Sequence, residues 1–190
     1  MKNQILTEAA EGEHPQPAHV VPQQGWILHW TSVGWGLGLA RFAPGTWGSL
    51  PGLVLGWGFA QCMLVYGALV TCALALCAVA LAWGCIAYTE RNWLPHDHKA
   101  IVVDEVVGQA LAFLFLPPQV GSVVWAFVFF RLLDIWKPGW IGRLDRHGDS
   151  AWTTLADDLL AGLGAGVLVW GLLAVHARYP LGDLFALWGR

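Results

Sequence analysis

Long apolar runs, separated by short polar segments, form most of the chain after residue 25. From residue 42 to residue 89, 48 consecutive residues include no Asp, Glu, Lys or Arg. One membrane-crossing helix needs about 20 mainly apolar residues. The stretch therefore predicts two spans, at about 50–66 and 68–88, joined by a tight turn near Gly67.

Four further segments carry an apolar pattern. In the segment 26–39, glycines at positions 34, 36 and 38 favour a short or interfacial helix that packs closely on its neighbours. The Pro117-Pro118 pair ends the segment 101–116, which is short for a span. The predicted helices are 26–39, 101–116, 120–136 and a final one that begins at Asp157-Asp158 and ends near His176.

Together these elements predict an all-α protein. We expect a polytopic membrane helical bundle with about four to five spanning or near-spanning helices and an N-terminal interfacial helix. Residues 1–24 contain three prolines and three glutamates and no apolar signal-peptide core, so they predict a disordered N-terminal tail. Residues 25–190 predict a single membrane-embedded domain.

Composition supports a membrane location and excludes nucleic acid as a partner. Apolar residues make up 56% of the chain, and many of its 13 tryptophans lie at the ends of apolar runs, as in interfacial belts. The net charge of −3 comes without the clustered Lys and Arg that would neutralise phosphates. Alternating spans place seven basic residues on one side and two on the other, which predicts that the first side is cytoplasmic.

Five carboxylates lie at the ends of apolar helices on this side: Asp104, Glu105, Asp134, Asp157 and Asp158. A charge at membrane depth costs roughly 2.5 to 3.5 kcal/mol on insertion scales, so such acids indicate function. Neighbouring helices can bring them to one depth, where a hard cation would neutralise them, and magnesium is the simplest occupant. Two alternatives stay open: acids favoured at helix N-termini by the macrodipole, and a divalent-cation transporter or channel.

Cations accompany one of these acids. Arg131, Asp134 and Lys137 recur at a spacing of three, which places them along one face of a helix. Two cations beside an acid predict a phosphate-binding site, in which the cations bind the phosphate and the acid binds a metal ion that also contacts the phosphate. The plainer alternative is a salt bridge along the helix, with Lys137 reaching for the interface.

Two polar loops on the cytoplasmic side carry further candidates. The loop before the acidic helix contains His96, Asp97 and Lys99, and its histidine could donate a proton or bind phosphate in a hydrolase. A solvated turn is the alternative for this loop. The loop at 43–46 begins a helix and could offer backbone N–H groups to an anion, with Thr46 as a substrate-binding candidate.

Four motifs in order, over residues 34 to about 164, resemble the phosphatidylglycerophosphatase A family. They are Ala43-Pro-Gly-Thr-Trp-Gly-Ser49 after Gly-x-Gly, His96-Asp-His-Lys-Ala-Ile-Val-Val-Asp-Glu105 with Gly108, Phe130-Arg-Leu-Leu-Asp-Ile-Trp-Lys-Pro138 with Asp145-Arg146, and Asp157-Asp-Leu-Leu-Ala-Gly162. The resemblance implies a multi-pass protein of the bacterial inner membrane. It also implies a magnesium-dependent phosphatase that converts phosphatidylglycerophosphate to phosphatidylglycerol and inorganic phosphate.

For that reaction, the five acids are the expected ligands of one or more Mg2+ ions. Charge that develops as the P–O bond breaks is expected to be neutralised by three cations, Arg131, Lys137 and Lys99. His96 or Asp97 is expected to protonate the leaving glycerol oxygen. Either water or an aspartate attacks phosphorus, and Asp104 is included among the catalytic candidates. The expected partners are phosphatidylglycerophosphate and membrane lipid, and the sequence leaves room for a homo-oligomer.

Overall fold

The computed structural model describes residues 25–139, 142 and 150–179, and this part of the chain contains helices, turns and loops but no strand. The predicted all-α class is therefore confirmed for these residues. The predicted tail at 1–24 lies outside them, as do residues 180–190 of the predicted domain. In chain order the helices are α1 (Trp26–Ser32), a 3-10 helix (Gly34–Leu39), α2 (Pro44–Asn92), α3 (Val103–Leu111), α4 (Val120–Trp136) and α5 (Ala151–Arg178).

The longest helix, α2, folds back on itself at Gly67, where φ is 79° and ψ is 179°. This left-handed φ suits glycine, because a Cβ would be strained there. A straight helix of 49 residues would extend about 74 Å. Instead, the first turn of α2 lies against Glu105 of α3, and Glu90 near its end bonds Thr154 of α5, one turn from Asp158. The turn predicted near Gly67 is present.

Helix α3 is buried between α2 and α5, and glycines on both neighbours allow the backbones to approach closely. On the α2 side, Gly48, Gly52 and Gly56 face α3 and the residue before it. On the α5 side, Gly162 lies against the carbonyl of Gly108, where any side chain would collide. Small residues at such spacings are typical of close helix packing in membranes. As a result, α3 carries its first-turn acids into the interior.

Two predicted helices differ in length from the observed ones. Helix α3 ends at Leu111 rather than at residue 116, because the following residues form tight turns, with bonds from Phe113 N to Ala110 O and from Leu116 N to Phe113 O. The predicted helix 26–39 is divided at Val33 into α1 and the 3-10 helix. Within the 3-10 helix, Trp35 and Gly36 adopt left-handed φ angles of 54° and 101°, so the α-helix does not continue.

Helix α5 also begins earlier than predicted, at Ala151 instead of Asp157. Ser150 and Thr153 form a capping box that satisfies the first backbone groups of the helix. Asp157 and Asp158 therefore lie in the second turn of α5. The favourable field of a helix N-terminus acts mainly within the first turn, so it does not account for these two acids.

Helix α4 has the predicted bounds of 120–136. Two of the described helices, α2 and α5, are long and apolar enough to cross a membrane. Large apolar side chains project from them without protein cover: Val54 is 76% exposed, Leu69 86% and Val167 69%. Exposed apolar surface of this extent marks contact with a membrane or a partner.

Candidate functional site

Three of the five predicted metal-binding acids form a compact cluster. Asp104 and Glu105 lie in the first turn of α3, and Asp158 lies in the second turn of α5. One oxygen from each of the three lies within 4.8 Å of the other two. Gly108, one turn after the acids of α3, lies against the backbone of Asp158, so the two helices approach closely at the cluster itself.

The other two acids lie beside the cluster and are paired with cations. Arg131 Nη1 is 2.6 Å from Asp134 Oδ2, and Lys137 Nζ is 2.8 Å from Asp157 Oδ2. The carboxyl group of Asp134 is also within hydrogen-bonding reach of Asp158. All five predicted acids are therefore neighbours, although only three converge as a group.

The predicted alignment of Arg131, Asp134 and Lys137 on one helical face is wrong for Lys137. Helix α4 ends at Trp136, and Lys137 adopts a left-handed φ of 43° that turns the chain out of the helix. Its ammonium group consequently reaches across to α5. Arg131 and Asp134 do form the salt bridge along α4 that was the plainer alternative.

Among the described residues, no cation forms an ion pair with Asp104, Glu105 or Asp158. Burial, assisted by the neighbouring charge of Glu105, raises the pKa of Asp104 well above its usual range. Burial and the charge of Asp158 raise the pKa of Glu105 to about 8. Glu105 Oε2 is buried and has no hydrogen-bond partner among the described residues. A cation bound among these oxygens would favour the ionised carboxylates and so oppose both shifts.

Arg131 connects the acids to the start of α2. Its Nη1 lies 3.4 Å from the hydroxyl of Ser49, which itself donates to the carbonyl of Gly45 at 2.8 Å. Gly45 is in contact with the carboxylate of Glu105, and a side chain at this glycine would collide with that group. Thr46, the predicted substrate ligand, is half-buried in the same turn. Ser49 is the residue of this turn that contacts Arg131.

The loop with His96 and Asp97 is held by a residue that the sequence reasoning missed. Glu90 Oε1 lies 2.9 Å from His96 Nδ1 and accepts hydrogen bonds from the Asp97 backbone at 3.2 Å and the Thr154 hydroxyl at 3.0 Å. Lys99 is exposed, and in the described part of the chain it forms no ion pair with the acids. The available signal for Glu90 was its position, directly after the 48-residue uncharged stretch.

The chain is similar to known proteins over most of its length. The family model described as Phosphatidylglycerophosphatase A matches residues 30–173, a range that includes all four motifs of the resemblance. Of these motifs, Asp145-Arg146 lies outside the residues that the structure describes. Phosphatidylglycerophosphatase A of Escherichia coli (strain K12) is 32% identical over 165 residues, which cover 82% of this chain and 87% of that protein.

The protein of the same name from Haemophilus influenzae is 34% identical over 153 residues, covering 76% of this chain and 88% of that protein. No solved structure matches the chain. The two apolar helices and these bacterial relatives indicate a bacterial membrane protein. Both the family match and the identity extend over most of the sequence, so the chain belongs to the phosphatidylglycerophosphatase A family.

Proposed function

We propose that this protein hydrolyses phosphatidylglycerophosphate with the help of Mg2+ at the cytoplasmic face of a bacterial inner membrane. Membership of the family supports phosphatidylglycerophosphatase activity, the hydrolysis of a lipid phosphomonoester. The observation that carries the metal is the convergence of Asp104, Glu105 and Asp158, whose oxygens lie within 4.8 Å of one another. Oxygen-only ligand sets of this kind suit hard cations.

The residues present fit a divalent cation. The partnerless, buried Oε2 of Glu105 needs a positive or hydrogen-bonding neighbour, because a buried polar atom left unsatisfied costs roughly 1 to 3 kcal/mol. Asp134 and Asp157 lie next to the cluster and can add ligands or orient it. Bound there, the ion would supply Lewis acidity to the phosphoryl oxygens and acidify a coordinated water.

Arg131 is the residue best placed to bind the substrate phosphate. Its guanidinium lies beside Gly45 in the first turn of α2, where the helix field favours an anion. Its Nε is buried and has no partner among the described residues, so a donor remains for a phosphoryl oxygen. The planar fork of arginine suits phosphate better than a point charge does. Lys137 holds Asp157 and adds positive charge to the same region.

The helices support a multi-pass arrangement with the site at one face. The two halves of α2 on either side of Gly67 and helix α5 are each long enough for one crossing. The 17 residues of α4 extend about 26 Å, close to the thickness of the core. With nine residues, α3 extends about 14 Å and is too short for a core of about 30 Å. The turns at 112–119 that follow α3 must therefore carry the chain the rest of the way across. The chain then passes the core five times, and the ends that carry the acids lie on one side. The excess of basic residues on that side makes it cytoplasmic.

Phosphate release from phosphatidylglycerophosphate in mixed micelles tests the proposal. Purified protein should release inorganic phosphate with Mg2+ and lose this activity in EDTA, and Asp104→Asn should abolish most of it. Asp183→Asn is the matched control, because it makes the same change outside the residues that the family model matches. Undiminished activity in EDTA would exclude the metal, and absence of activity with Mg2+ would exclude the substrate assignment.

An ion-flux assay in liposomes separates the remaining alternative. The family match does not favour a divalent-cation transporter. Protein-dependent Mg2+ flux without phosphatase activity would nevertheless overturn the enzymatic proposal.

A further inference from the structure

The carboxylate of Glu90 joins three parts of the chain beside the acid cluster. Its Oε1 lies 2.9 Å from His96 Nδ1, 3.2 Å from the backbone nitrogen of Asp97 and 3.0 Å from the hydroxyl of Thr154. The side chain of Glu90 is only 11% exposed, so water competes weakly for these bonds. A single carboxylate thus ties the end of α2 to the histidine loop and to α5.

The contact determines where the proton of His96 resides. An ionised carboxylate only accepts hydrogen bonds, so the bond at 2.9 Å requires a proton on Nδ1. Any proton exchange of this ring with a substrate would then have to use the other nitrogen, Nε2. A neighbouring carboxylate also favours the cationic form of the ring.

Glu90 also shapes the loop through its main chain. Asp97 has a left-handed φ of 52°, a conformation that aspartate tolerates better than most residues. Its N–H donates to Glu90, which holds the turn in place. Glu90 therefore contacts the imidazole of His96 directly but contacts Asp97 only through the backbone.

The same junction is adjacent to the proposed metal site. Thr154 Oγ1 lies 3.4 Å from His96 Nδ1, and Thr154 precedes Asp157 and Asp158 by three and four residues on α5. Residues at these spacings share a helix face, with about 5 to 6 Å between their Cβ atoms. The imidazole therefore contacts the turn of α5 that precedes the acids.

We propose that Glu90 is a positioning residue for phosphomonoester hydrolysis, which orients His96 and stabilises its imidazolium so that Nε2 delivers the proton to the leaving glycerol oxygen. The inference rests on the proposed function and selects His96 over Asp97 as the proton donor. A histidine oriented by a carboxylate through Nδ1 is a general arrangement for proton transfer through the opposite nitrogen.

The proton balance is simple. When the P–O bond to glycerol breaks, its electron pair stays on the glycerol oxygen, and this oxygen takes the proton from Nε2 of His96. The neutral imidazole keeps the proton on Nδ1, which remains hydrogen-bonded to Glu90. The water whose oxygen is added to phosphorus releases one proton to the solvent, and His96 regains one from the solvent, so the enzyme returns to its starting state.

The chemistry of the leaving group distinguishes this role from a purely structural one. General acid catalysis contributes roughly 10²- to 10⁴-fold when the leaving oxygen needs a proton. A phenol, with a pKa of about 10 like that of tyrosine, leaves as the anion far more readily than an alcohol does. Loss of the proton donor should therefore slow an alkyl phosphate much more than an aryl phosphate.

The experiment compares phosphate release from phosphatidylglycerophosphate and from 4-dodecylphenyl phosphate, both in mixed micelles with Mg2+. The variants are Glu90→Gln, Glu90→Asp, His96→Asn and the double variant Glu90→Gln/His96→Asn. Arg91→Gln is the matched control, since it removes a charge at the adjacent, exposed position. Glu90→Asp keeps the charge and serves as the second test if Glu90→Gln does not fold.

Glu90→Gln should lower kcat for phosphatidylglycerophosphate by about 10-fold or more with little change in KM, and lower the rate on the aryl phosphate by less than about threefold. Glu90→Asp should show a smaller loss with the same selectivity. The double variant should be no slower than His96→Asn alone, because Glu90 acts through His96 and has no effect on proton transfer once the imidazole is gone. Arg91→Gln should behave as the wild type.

Three results would overturn the inference while leaving the phosphatase itself intact. They are an active Glu90→Gln variant with wild-type kcat, equal losses on the two substrates, and additive losses in the double variant. A wild-type protein without activity on phosphatidylglycerophosphate would instead overturn the proposed function, so the two failures are distinguishable.

Discussion

A methyl group added at Gly108 tests whether helix packing sets the geometry of the acid cluster. A Cβ on this residue would lie 2.6 Å from the main-chain oxygen of Asp158 and 3.0 Å from its Cβ. Ordinary van der Waals contact begins at about 3.4 Å, so Gly108→Ala requires α3 and α5 to move apart by about 0.8 Å. The obstructing atoms belong to Asp158 itself, and the displacement therefore acts directly on the cluster.

The expected effect on stability is small, whereas the effect on the metal is large. Overpacking costs typically about 1 to 3 kcal/mol, and the better helix propensity of alanine returns up to about 1 kcal/mol. Magnesium, in contrast, demands near-ideal octahedral geometry, and metal–ligand distances must fit within about 0.2 Å. A shift several times larger should raise the half-saturating Mg2+ concentration about 10-fold or more, equivalent to about 1.4 kcal/mol.

The assay is phosphate release as a function of Mg2+ concentration, with thermal unfolding in detergent measured in parallel. Gly171→Ala on α5 is the control, because a Cβ at this position has no atom within 4 Å. The control should keep the wild-type Mg2+ dependence and unfold at the same or a slightly higher temperature. If Gly108→Ala also keeps the wild-type Mg2+ dependence, Asp158 does not bind the ion together with the acids of α3.

Three further predictions address individual side chains. Burial raises the pKa of Glu105 from 4.5 to about 8, so in the metal-free protein its contribution to stability should be greatest below about pH 4.5 and be lost as the pH rises through about 8. The increase in Tm on adding Mg2+ should therefore be larger near pH 8.5 than near pH 6, and equal increases would contradict this. Arg131→Lys should lower kcat about 10-fold or more, since one ammonium cannot reproduce the contacts with Asp134 and Ser49; an unchanged kcat would exclude the phosphate role. Asp158→Asn should lose at least about 100-fold in phosphatase activity while the protein still inserts into membranes, as measured by fractionation.

The apolar pattern predicted the helices whose ends are marked in the sequence itself. The uncharged stretch was long enough for two spans, and Gly67 was the residue able to reverse the chain between them. The bounds of α4 also followed from its pattern. The end of α3 did not, because the sequence remains apolar to Leu116 while the hydrogen bonds tighten after Leu111. The start of α5 depended on the capping box of Ser150 and Thr153, which the apolar pattern does not contain.

The acids were predictable because a carboxylate in an apolar run is conspicuous, but their partners were not. Lys137, at the end of α4, pairs with Asp157 of α5. This contact depends on the left-handed backbone of Lys137, which turns the chain away from the axis of α4. Glu90 follows an uncharged stretch and precedes the histidine loop by one turn, so its position was a usable signal. No signal in the sequence pointed to Thr154, because its role depends on a hydrogen bond to Glu90, which lies on another helix and 64 residues earlier in the chain.

The length of α5 explains how a lipid phosphate could meet these acids without leaving the membrane. Its 28 residues extend about 42 Å, roughly 12 Å more than the hydrocarbon core. The segment from 159 to 175 is 17 residues without a charge and covers about 26 Å, so it fits the core by itself. Eight residues of the helix precede this segment and three follow it. Asp158 directly precedes the uncharged segment, so under the proposed function we expect it where the acyl chains end and the head groups begin. A phosphate attached through glycerol to chains in the same leaflet lies at this depth, so acids in the second turn of α5 match the level that the proposed substrate requires.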